Sequence, residues 1–248
     1  MILHVGPKAK LAYRIVVENK LKKIRGIFIL TLIGLPIVVF QSFKMEWVSS
    51  NAAAGDGILS SVGMVFSGDG TGSAFLISTT KLITARHVVA DLEIGDIVEV
   101  DFVKAKLLET RVEAKVLFIS RSEARYDDYA LLELLAPINL SPIELASATD
   151  SKMGDEVAVI GYPFGSFSST KGTISNDAAF GNESVLQLYA GAWPGNSGGP
   201  IIDTRTSEAI GILMAGLEDE GKGMTFAVKI DQLINDPLLE EMKIDLLK

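Results

Sequence analysis

The 248-residue sequence contains no cysteine and only two histidines, His4 and His87. Without cysteine the chain can form neither a disulfide framework nor a thiolate metal site. Two histidines also do not supply a multi-histidine metal centre. The sequence also lacks internal repeats at solenoid periods and low-complexity tracts, which argues against a repeat architecture.

Charge is unevenly distributed along the chain. Residues 1–43 carry seven basic side chains and one acidic side chain, whereas the remaining residues carry sixteen basic and thirty acidic ones. The N-terminal part is therefore near +6, and the rest of the chain is near −14. Because a strongly acidic domain repels a phosphate backbone, we expect no nucleic-acid partner.

An uncharged apolar segment, GIFILTLIGLPIVVFQSF, occupies residues 26–43. As a helix its eighteen residues would reach about 27 Å, which is enough to cross a bilayer. Basic residues before it and an acidic body after it predict that residues 1–25 are cytoplasmic and the rest extracytoplasmic. We therefore predict a transmembrane anchor followed by a linker at residues 44–57. The alternatives are a signal peptide cleaved near NAAAG, at residues 51–55, and a buried core helix.

From Ile58 onward the sequence is a succession of short apolar runs bounded by glycine, aspartate and serine. Examples are SVGMVFS, DIVEVDF, EVAVIGY and AIGILMAG, which have strand length and are rich in valine, isoleucine and phenylalanine. Their close spacing favours an all-β barrel or sandwich over βαβ units. Helical pattern appears only after His87 and in the C-terminal segment at residues 233–248.

The segment GAWPGNSGGPI, residues 191–201, concentrates glycine and proline around a single serine, Ser197. Such residues mark backbone that takes special dihedral angles or lets another group approach closely. One interpretation is a surface turn between two strands. The other is a backbone cradle built around Ser197, which requires a base elsewhere in the chain.

His87 is the only histidine beyond the N-terminal segment, and it follows a strand-like run in LITARHVVA. Asp127 and Asp128 stand directly before the apolar run YALLEL. Each has an ordinary interpretation, as a structural histidine and as a solvated turn. A serine nucleophile, however, needs a base, and the base needs a third group that fixes its tautomer.

The order TARHVV, DDYALLEL and PGNSGGP resembles the chymotrypsin-like serine proteases, and it is most similar to the HtrA (Deg) type. GSAFLIS at 72–78, MGDEVAVIGYPFG at 153–165 and KGTIS at 171–175 also look like segments of that type. AIGILMAG and GMTFAV resemble the two strands that follow its nucleophile. The resemblance covers roughly residues 58–228.

This resemblance implies two antiparallel β-barrels in a protease domain at 58–232, with the barrels at about 58–145 and 146–232. It implies that Ser197 is the nucleophile, His87 the general base and then acid, and Asp128 the orienting carboxylate. The amides of Gly195 and Ser197 would form the oxyanion hole. No metal or cofactor is required for this chemistry.

The resemblance also implies a substrate pocket and an extended polypeptide substrate. The expected pocket residues carry no acid, which predicts small or medium apolar side chains at the cleavage position: Gly191, Ala192, Leu213, Met214, Ala215, Gly216 and Met224. A substrate strand would add beside residues 213–216. The pattern does not predict the oligomeric state or the natural substrate.

Two departures from the family pattern are informative. HtrA-type proteases usually carry PDZ domains after the protease, whereas this sequence predicts only a short helical tail there. In digestive members an aspartate before the nucleophile pairs with a newly cut N-terminus, and here that position is Asn196. We therefore expect activity that depends neither on a PDZ domain nor on a newly cut N-terminus.

Other functions remain open at this point. A membrane-anchored peptide-binding module could keep the fold without turnover. An esterase could use the same three residues, although the sequence lacks the G-x-S-x-G elbow of the common esterase fold.

Overall fold

The computed structural model describes residues 56–68, 70–105, 111–121, 126–216 and 223–246, and within them twelve strands form two closed six-stranded barrels. The strands of the first barrel are β1 (Val62–Ser67), β2 (Gly70–Leu76), β3 (Lys81–Thr84), β4 (Ile97–Asp101), β5 (Val112–Ile119) and β6 (Ala130–Leu134). The strands of the second barrel are β7 (Glu156–Gly161), β8 (Ser168–Asn176), β9 (Val185–Tyr189), β10 (Pro200–Asp203), β11 (Ala209–Gly216) and β12 (Met224–Lys229). The predicted all-β, two-barrel architecture is confirmed.

Both barrels are antiparallel throughout and have the same strand order. The order of neighbouring strands is β1-β2-β3-β6-β5-β4 in the first barrel and, correspondingly, β7-β8-β9-β12-β11-β10 in the second. Alternation decides which side chains enter the core: along β4 and β5 buried residues recur at every second position. β3 and β7 are buried along almost their whole length; β7 is accordingly a continuous apolar run after Glu156, whereas β3 also buries the polar Lys81 and Thr84.

The two barrels meet through a shared apolar cluster. Phe75 and Ile83 of the first barrel belong to the same buried cluster as Ile160 and Ile212 of the second. Tyr162, just after β7, is fully buried there, and its hydroxyl donates to the Val62 carbonyl at 3.1 Å. Burial raises the pKa of Tyr162 to about 12, so the phenol stays protonated in this contact. The interface fixes how the loops of one barrel face those of the other.

The predicted C-terminal helical tail is present, and it consists of two short helices. After α1 (Asp56–Ser60) at the start of the described chain come α2 (Ile230–Ile234) and α3 (Pro237–Glu241). The break is local chemistry: Pro237 cannot continue a preceding helix, and the Asp236 side chain accepts a hydrogen bond from the Leu238 amide as the N-cap of α3.

No helix in the described part of the chain combines the length and apolar character needed to cross a bilayer. The apolar segment at 26–43 lies outside the described residues, and the anchor stays a prediction.

Candidate active site

Two neighbouring strands bring His87 and Asp128 together. β3 ends at Thr84 and is followed by a 3₁₀ turn, Arg86–Val89, which carries His87. Asp128 stands two residues before β6, and Thr84 pairs with Ala130 in the β3–β6 ladder. Because these strands are antiparallel, the end of one lies beside the start of the other, and so residues 41 positions apart meet.

The Asp128 carboxylate contacts His87 at two points. Its Oδ2 lies 2.7 Å from the ring Nδ1, and its Oδ1 accepts a hydrogen bond from the His87 backbone amide at 2.9 Å. The Asp128 side chain is 9% exposed, whereas the His87 side chain is 44% exposed. The carboxylate thus fixes the ring from the buried side, and Nε2 makes no hydrogen bond with any described residue.

Asp127 faces a different environment from its neighbour. Partial burial raises the pKa of the Asp127 carboxyl, and the nearby Asp236 carboxylate raises it further, while the Arg86 guanidinium acts in the opposite direction. The Tyr129 hydroxyl donates to Asp236 at 2.8 Å. Asp127 therefore belongs to a cluster beside the C-terminal helices and makes no hydrogen bond to His87.

The loop around Ser197 requires glycine for steric reasons. Gly195 has φ of +100° and Gly198 has φ of +84°, values that residues with a side chain rarely adopt. A Cβ at Gly195 would collide with the Tyr162 carbonyl, and one at Gly198 would collide with the Ser73 carbonyl and Thr84 Oγ1. The loop is therefore closely packed on both sides of Ser197, and its role as a cradle stays a prediction.

Hydrogen bonds orient the peptide planes of this loop. The Pro194 carbonyl accepts from the Phe164 amide at 2.9 Å, and the Asn196 carbonyl accepts from the Gly199 amide at 2.9 Å. In a trans peptide the N–H points away from its own carbonyl. The N–H groups of Gly195 and Ser197 therefore point away from these contacts, and neither donates to any described residue.

Ser197 lies close to the turn that carries His87. The following residue, Gly198, packs so tightly on Thr84 that an added Cβ would lie 2.7 Å from the Ala85 amide nitrogen, two residues before His87. Ser197 itself is half-buried. Its hydroxyl makes no hydrogen bond within the described residues, so a hydrogen bond from Ser197 to Nε2 of His87 stays a prediction.

The residues predicted to form the pocket occupy several environments. Gly191 lies under the Trp193 indole, since a Cβ there would be 2.7 Å from Trp193 Cη2. Ala192 packs against the core cluster that contains the buried Leu213. Met214 is half-buried and packs against the small buried cluster that contains Phe226.

Three pocket candidates lie along the pairing of β11 with β12. Ala215 pairs with Phe226, and Gly216 pairs with Thr225. Met224 is 40% exposed, and its Sδ accepts a hydrogen bond from the Gln187 side chain at 3.6 Å. The pocket assignment stays a prediction.

Residues 72–212, more than half of the chain, match the family described as trypsin-like peptidase domain. The chain belongs to this family. In the described part of this trypsin-like peptidase, no group of three or more histidine, aspartate or glutamate side chains is placed to hold a metal ion.

Curated relatives of this trypsin-like peptidase are serine proteases of the Do and DegP types. The chain is 31% identical over 175 residues to protease Do-like 1, chloroplastic, of Arabidopsis thaliana, which covers 65% of this chain and 37% of the relative. It is 30% identical over 175 residues to the periplasmic serine endoprotease DegP of Salmonella typhimurium, covering 66% and 34%. The chain thus spans little more than a third of the length of these relatives.

Solved structures show the same fold. The HtrA-type protease AlgW, determined with a tripeptide, is 25% identical and superposes with a TM-score of 0.59, covering 74% of this chain and 62% of that one. The serine endoprotease from Yersinia pestis, 24% identical, superposes with a TM-score of 0.58 over 77% of this chain and 66% of that one. The resemblance to the HtrA type is therefore confirmed.

One residue beside the site had no role assigned from the sequence. Ser73 lies in the glycine–serine segment GSAFLIS, which carried the resemblance but no expected function. It is fully buried and contacts the Ser197 loop. A serine directly before the apolar residues Ala74–Leu76 of a strand is the signal that could have identified it, because a buried hydroxyl needs a partner.

Proposed function

We propose that this trypsin-like peptidase is a serine endopeptidase that hydrolyses peptide bonds through an acyl-enzyme. The two-point contact of Asp128 with His87 carries the proposal. A carboxylate at Nδ1 holds the ring in the tautomer whose Nε2 lacks a proton, which is the form able to accept one from a serine hydroxyl. Membership of the family and the names of the relatives support the same reaction.

In the proposed first step, His87 Nε2 removes the proton from Ser197 Oγ as the oxygen attacks the substrate carbonyl. The imidazolium that forms is stabilised by Asp128. The His87 imidazolium then gives its proton to the leaving amine. The C–N bond breaks, and the acyl part of the substrate remains bound to Ser197 as an ester. Water activated by the same Nε2 hydrolyses this ester and regenerates the free hydroxyl.

The amides of Gly195 and Ser197 are the proposed oxyanion donors. The negative charge of the tetrahedral intermediate develops on the former carbonyl oxygen, and donors aimed at it stabilise the transition state by roughly 3 kcal/mol each. Their lack of acceptors within the described residues supports this role, because both groups are available to a ligand. The hydrogen bonds to the Pro194 and Asn196 carbonyls keep them oriented before substrate arrives.

We infer an unfolded or extended polypeptide as the substrate class. Such a chain would lie beside residues 213–216 and form backbone hydrogen bonds. These bonds require an extended backbone but do not depend on the side chains of the substrate. Gly191, Ala192 and Met214 would receive the side chain that precedes the cut. Burying an unpaired lysine or arginine there would cost several kcal/mol, so apolar side chains are expected.

We further propose that the protease domain is extracytoplasmic and tethered by residues 26–43. The charge asymmetry around this apolar segment and the periplasmic relatives support the topology. Membrane fractions of cells that express the full chain should retain it after alkaline carbonate extraction, and protease added to spheroplasts should digest its C-terminal domain. Release of the protein by carbonate, or full protection from the added protease, would contradict the anchor or the orientation respectively.

Covalent labelling tests the proposed reaction. A fluorophosphonate probe should label the purified chain at Ser197 and should not label Ser197→Ala. In parallel, a denatured proteome digested with each protein should yield new peptide ends only with the unmodified chain. Cleavage that is equal with Ser197→Ala would rule out Ser197 as the nucleophile, and absence of both labelling and cleavage would favour a silent binding module.

A further inference from the structure

Ser73 connects the first barrel to the loop that carries Ser197. It lies on β2 and is fully buried. Its backbone amide donates to the Ser197 carbonyl at 2.7 Å, and its hydroxyl donates to the Gly195 carbonyl at 2.7 Å. The hydroxyl also accepts a hydrogen bond from the Tyr162 amide at 3.0 Å. One residue therefore holds the nucleophile loop at two carbonyls that are two residues apart.

These two contacts lie on either side of the Ser197 amide. The Gly195 carbonyl belongs to the peptide that joins residues 195 and 196, and the Ser197 carbonyl belongs to the peptide that joins residues 197 and 198. The intervening peptide carries the Ser197 N–H. Because neighbouring peptide planes rotate about shared Cα atoms, fixing the two outer planes restricts the direction of the inner N–H.

The origin of the contacts distinguishes Ser73 from the other partners of this loop. Phe164, Gly199 and Leu213, which also hydrogen-bond the loop backbone, belong to the second barrel. Ser73 belongs to the barrel that carries His87 and Asp128. Its own carbonyl accepts a hydrogen bond from Thr84 Oγ1 at 2.8 Å, and Thr84 is three residues before His87.

We propose that Ser73 is a positioning residue that sets the Gly195–Ser197 loop in register with His87 and aims the oxyanion donors. This inference rests on the proposed peptidase function for its catalytic consequence, but not for its structural one. Thr84, Ser73 and Ser197 form a continuous hydrogen-bonded path from the strand of the base to the nucleophile. Loss of the hydroxyl would leave the Gly195 carbonyl and the Tyr162 amide without their partner in a buried site.

Replacing Ser73 with alanine removes the hydroxyl and keeps the backbone bond to Ser197. We expect kcat to fall between about tenfold and 100-fold, because small displacements of catalytic groups have effects of this size. KM should change less than about twofold. The inhibition constant of a peptide boronic acid, which forms a tetrahedral adduct, should rise by the same factor by which kcat/KM falls.

Ser61→Ala is a matched control. Ser61 is also a fully buried serine next to a first-barrel strand, and its hydroxyl donates to the carbonyls of Gly57 and Ser141, away from the Ser197 loop. The two variants should lose similar thermal stability, while only Ser73→Ala loses kcat. Equal kcat in the two variants, or an effect of Ser73→Ala confined to KM, would overturn the proposal.

Ser73→Cys covers the case in which Ser73→Ala does not fold. A thiol is somewhat larger than the hydroxyl and donates only weakly, so it neither leaves a cavity nor restores the hydrogen bond to Gly195, and kcat should lie below that of the unmodified chain. Unchanged kcat in Ser73→Cys would overturn the proposal.

Amide spectra separate this inference from the proposed function. In ¹⁵N-labelled protein, the Gly195 and Ser197 amide resonances should shift or broaden in Ser73→Ala and stay unchanged in Ser61→Ala. This measurement needs no turnover. If the unmodified chain proves inactive while these resonances move as expected, the proposed function fails and the positioning role stands; unmoved resonances refute the positioning role.

Discussion

Asp128 holds His87 through both the imidazole Nδ1 and the backbone amide, at 2.7 Å and 2.9 Å. The first contact sets the tautomer and plane of the ring, and the second fixes the turn that presents it. A carboxylate with two oxygens can make both contacts at once, whereas an amide has only one oxygen to offer. Asp127, the adjacent aspartate, makes neither contact, so we expect substitutions at positions 127 and 128 to have different effects on activity.

Ser197 and His87 are each expected to be indispensable. Alanine at either position should lower kcat by several orders of magnitude, leaving the contribution of the oxyanion donors and of substrate binding. Steady-state cleavage of a fluorogenic peptide measures the loss, with circular dichroism as the check of folding. Retention of more than a few per cent of activity in folded Ser197→Ala would falsify the mechanism.

Asn at position 128 should be far more damaging than Asn at position 127. In Asp128→Asn the side-chain amide favours the wrong imidazole tautomer, and we expect kcat to fall about 10³- to 10⁴-fold. Asp127→Asn, which makes no contact with the ring, should change kcat less than about threefold. The two variants are matched in chemistry and adjacent in sequence. The reverse ranking would transfer the orienting role to Asp127.

The folded state should lose stability as Asp127 ionises. Partial burial and Asp236 raise the pKa of this carboxyl above its ordinary value near 3.8, so the native protein binds the proton more tightly than the unfolded chain. Stability from this group is therefore present below about pH 3.8 and is lost as pH rises through the raised pKa.

Urea unfolding of the unmodified chain and of Asp127→Asn, from pH 3 to pH 7, measures this effect. As pH rises through the raised pKa of Asp127, the free energy of unfolding of the unmodified chain should fall relative to that of the asparagine variant. Above that pKa the difference between the two proteins should stay constant. In an Asp236→Asn background, where one cause of the raised pKa is absent, the gain should shrink. A difference that does not vary with pH would contradict the assignment.

No specific new N-terminus should be needed for activity. Asn196 is 2% exposed, and its side-chain Oδ1 has no hydrogen-bond partner among the described residues. Because this side chain is neutral, it forms no ion pair with an α-ammonium group. Chains that start near Ala53 with different first residues should therefore share one kcat/KM for an unfolded substrate.

Asn196→Asp extends this test. It would bury an unpaired carboxylate, and we expect a loss of stability of several kcal/mol. Strict dependence of activity on one processed first residue would count against the prediction, as would an Asn196→Asp variant as stable as the unmodified chain.

The primary pocket is expected to accept Val, Ala, Leu or Ile before the cut. A peptide library digested with the protein and read by mass spectrometry measures this preference. Met214→Ala should widen the accepted range towards Phe, because it removes a half-buried side chain from the predicted wall of the pocket. Met224→Ala is the comparison, since Met224 is directed at Gln187 and should matter less. A dominant preference for Lys or Arg immediately before the cut would show that the pocket is not the apolar one predicted here.

The sequence by itself determined the fold class and the chemistry of the candidate residues. Alternating and continuous apolar runs indicated strands, because side chains on a strand point alternately to opposite faces. His87 was the only imidazole available beyond the N-terminal segment, and glycines around Ser197 indicated backbone that side-chain-bearing residues rarely adopt. These are local properties, and local sequence encodes them.

Only the tertiary structure decided which residues meet. The antiparallel pairing of β3 with β6 brings His87 to Asp128, whereas the sequence selected Asp128 over Asp127 only through its resemblance to the family motif. The sequence shows Ser73 only as a serine in a strand; its partners at 162, 195 and 197 lie in the other barrel, and such contacts depend on how the two closed barrels pack.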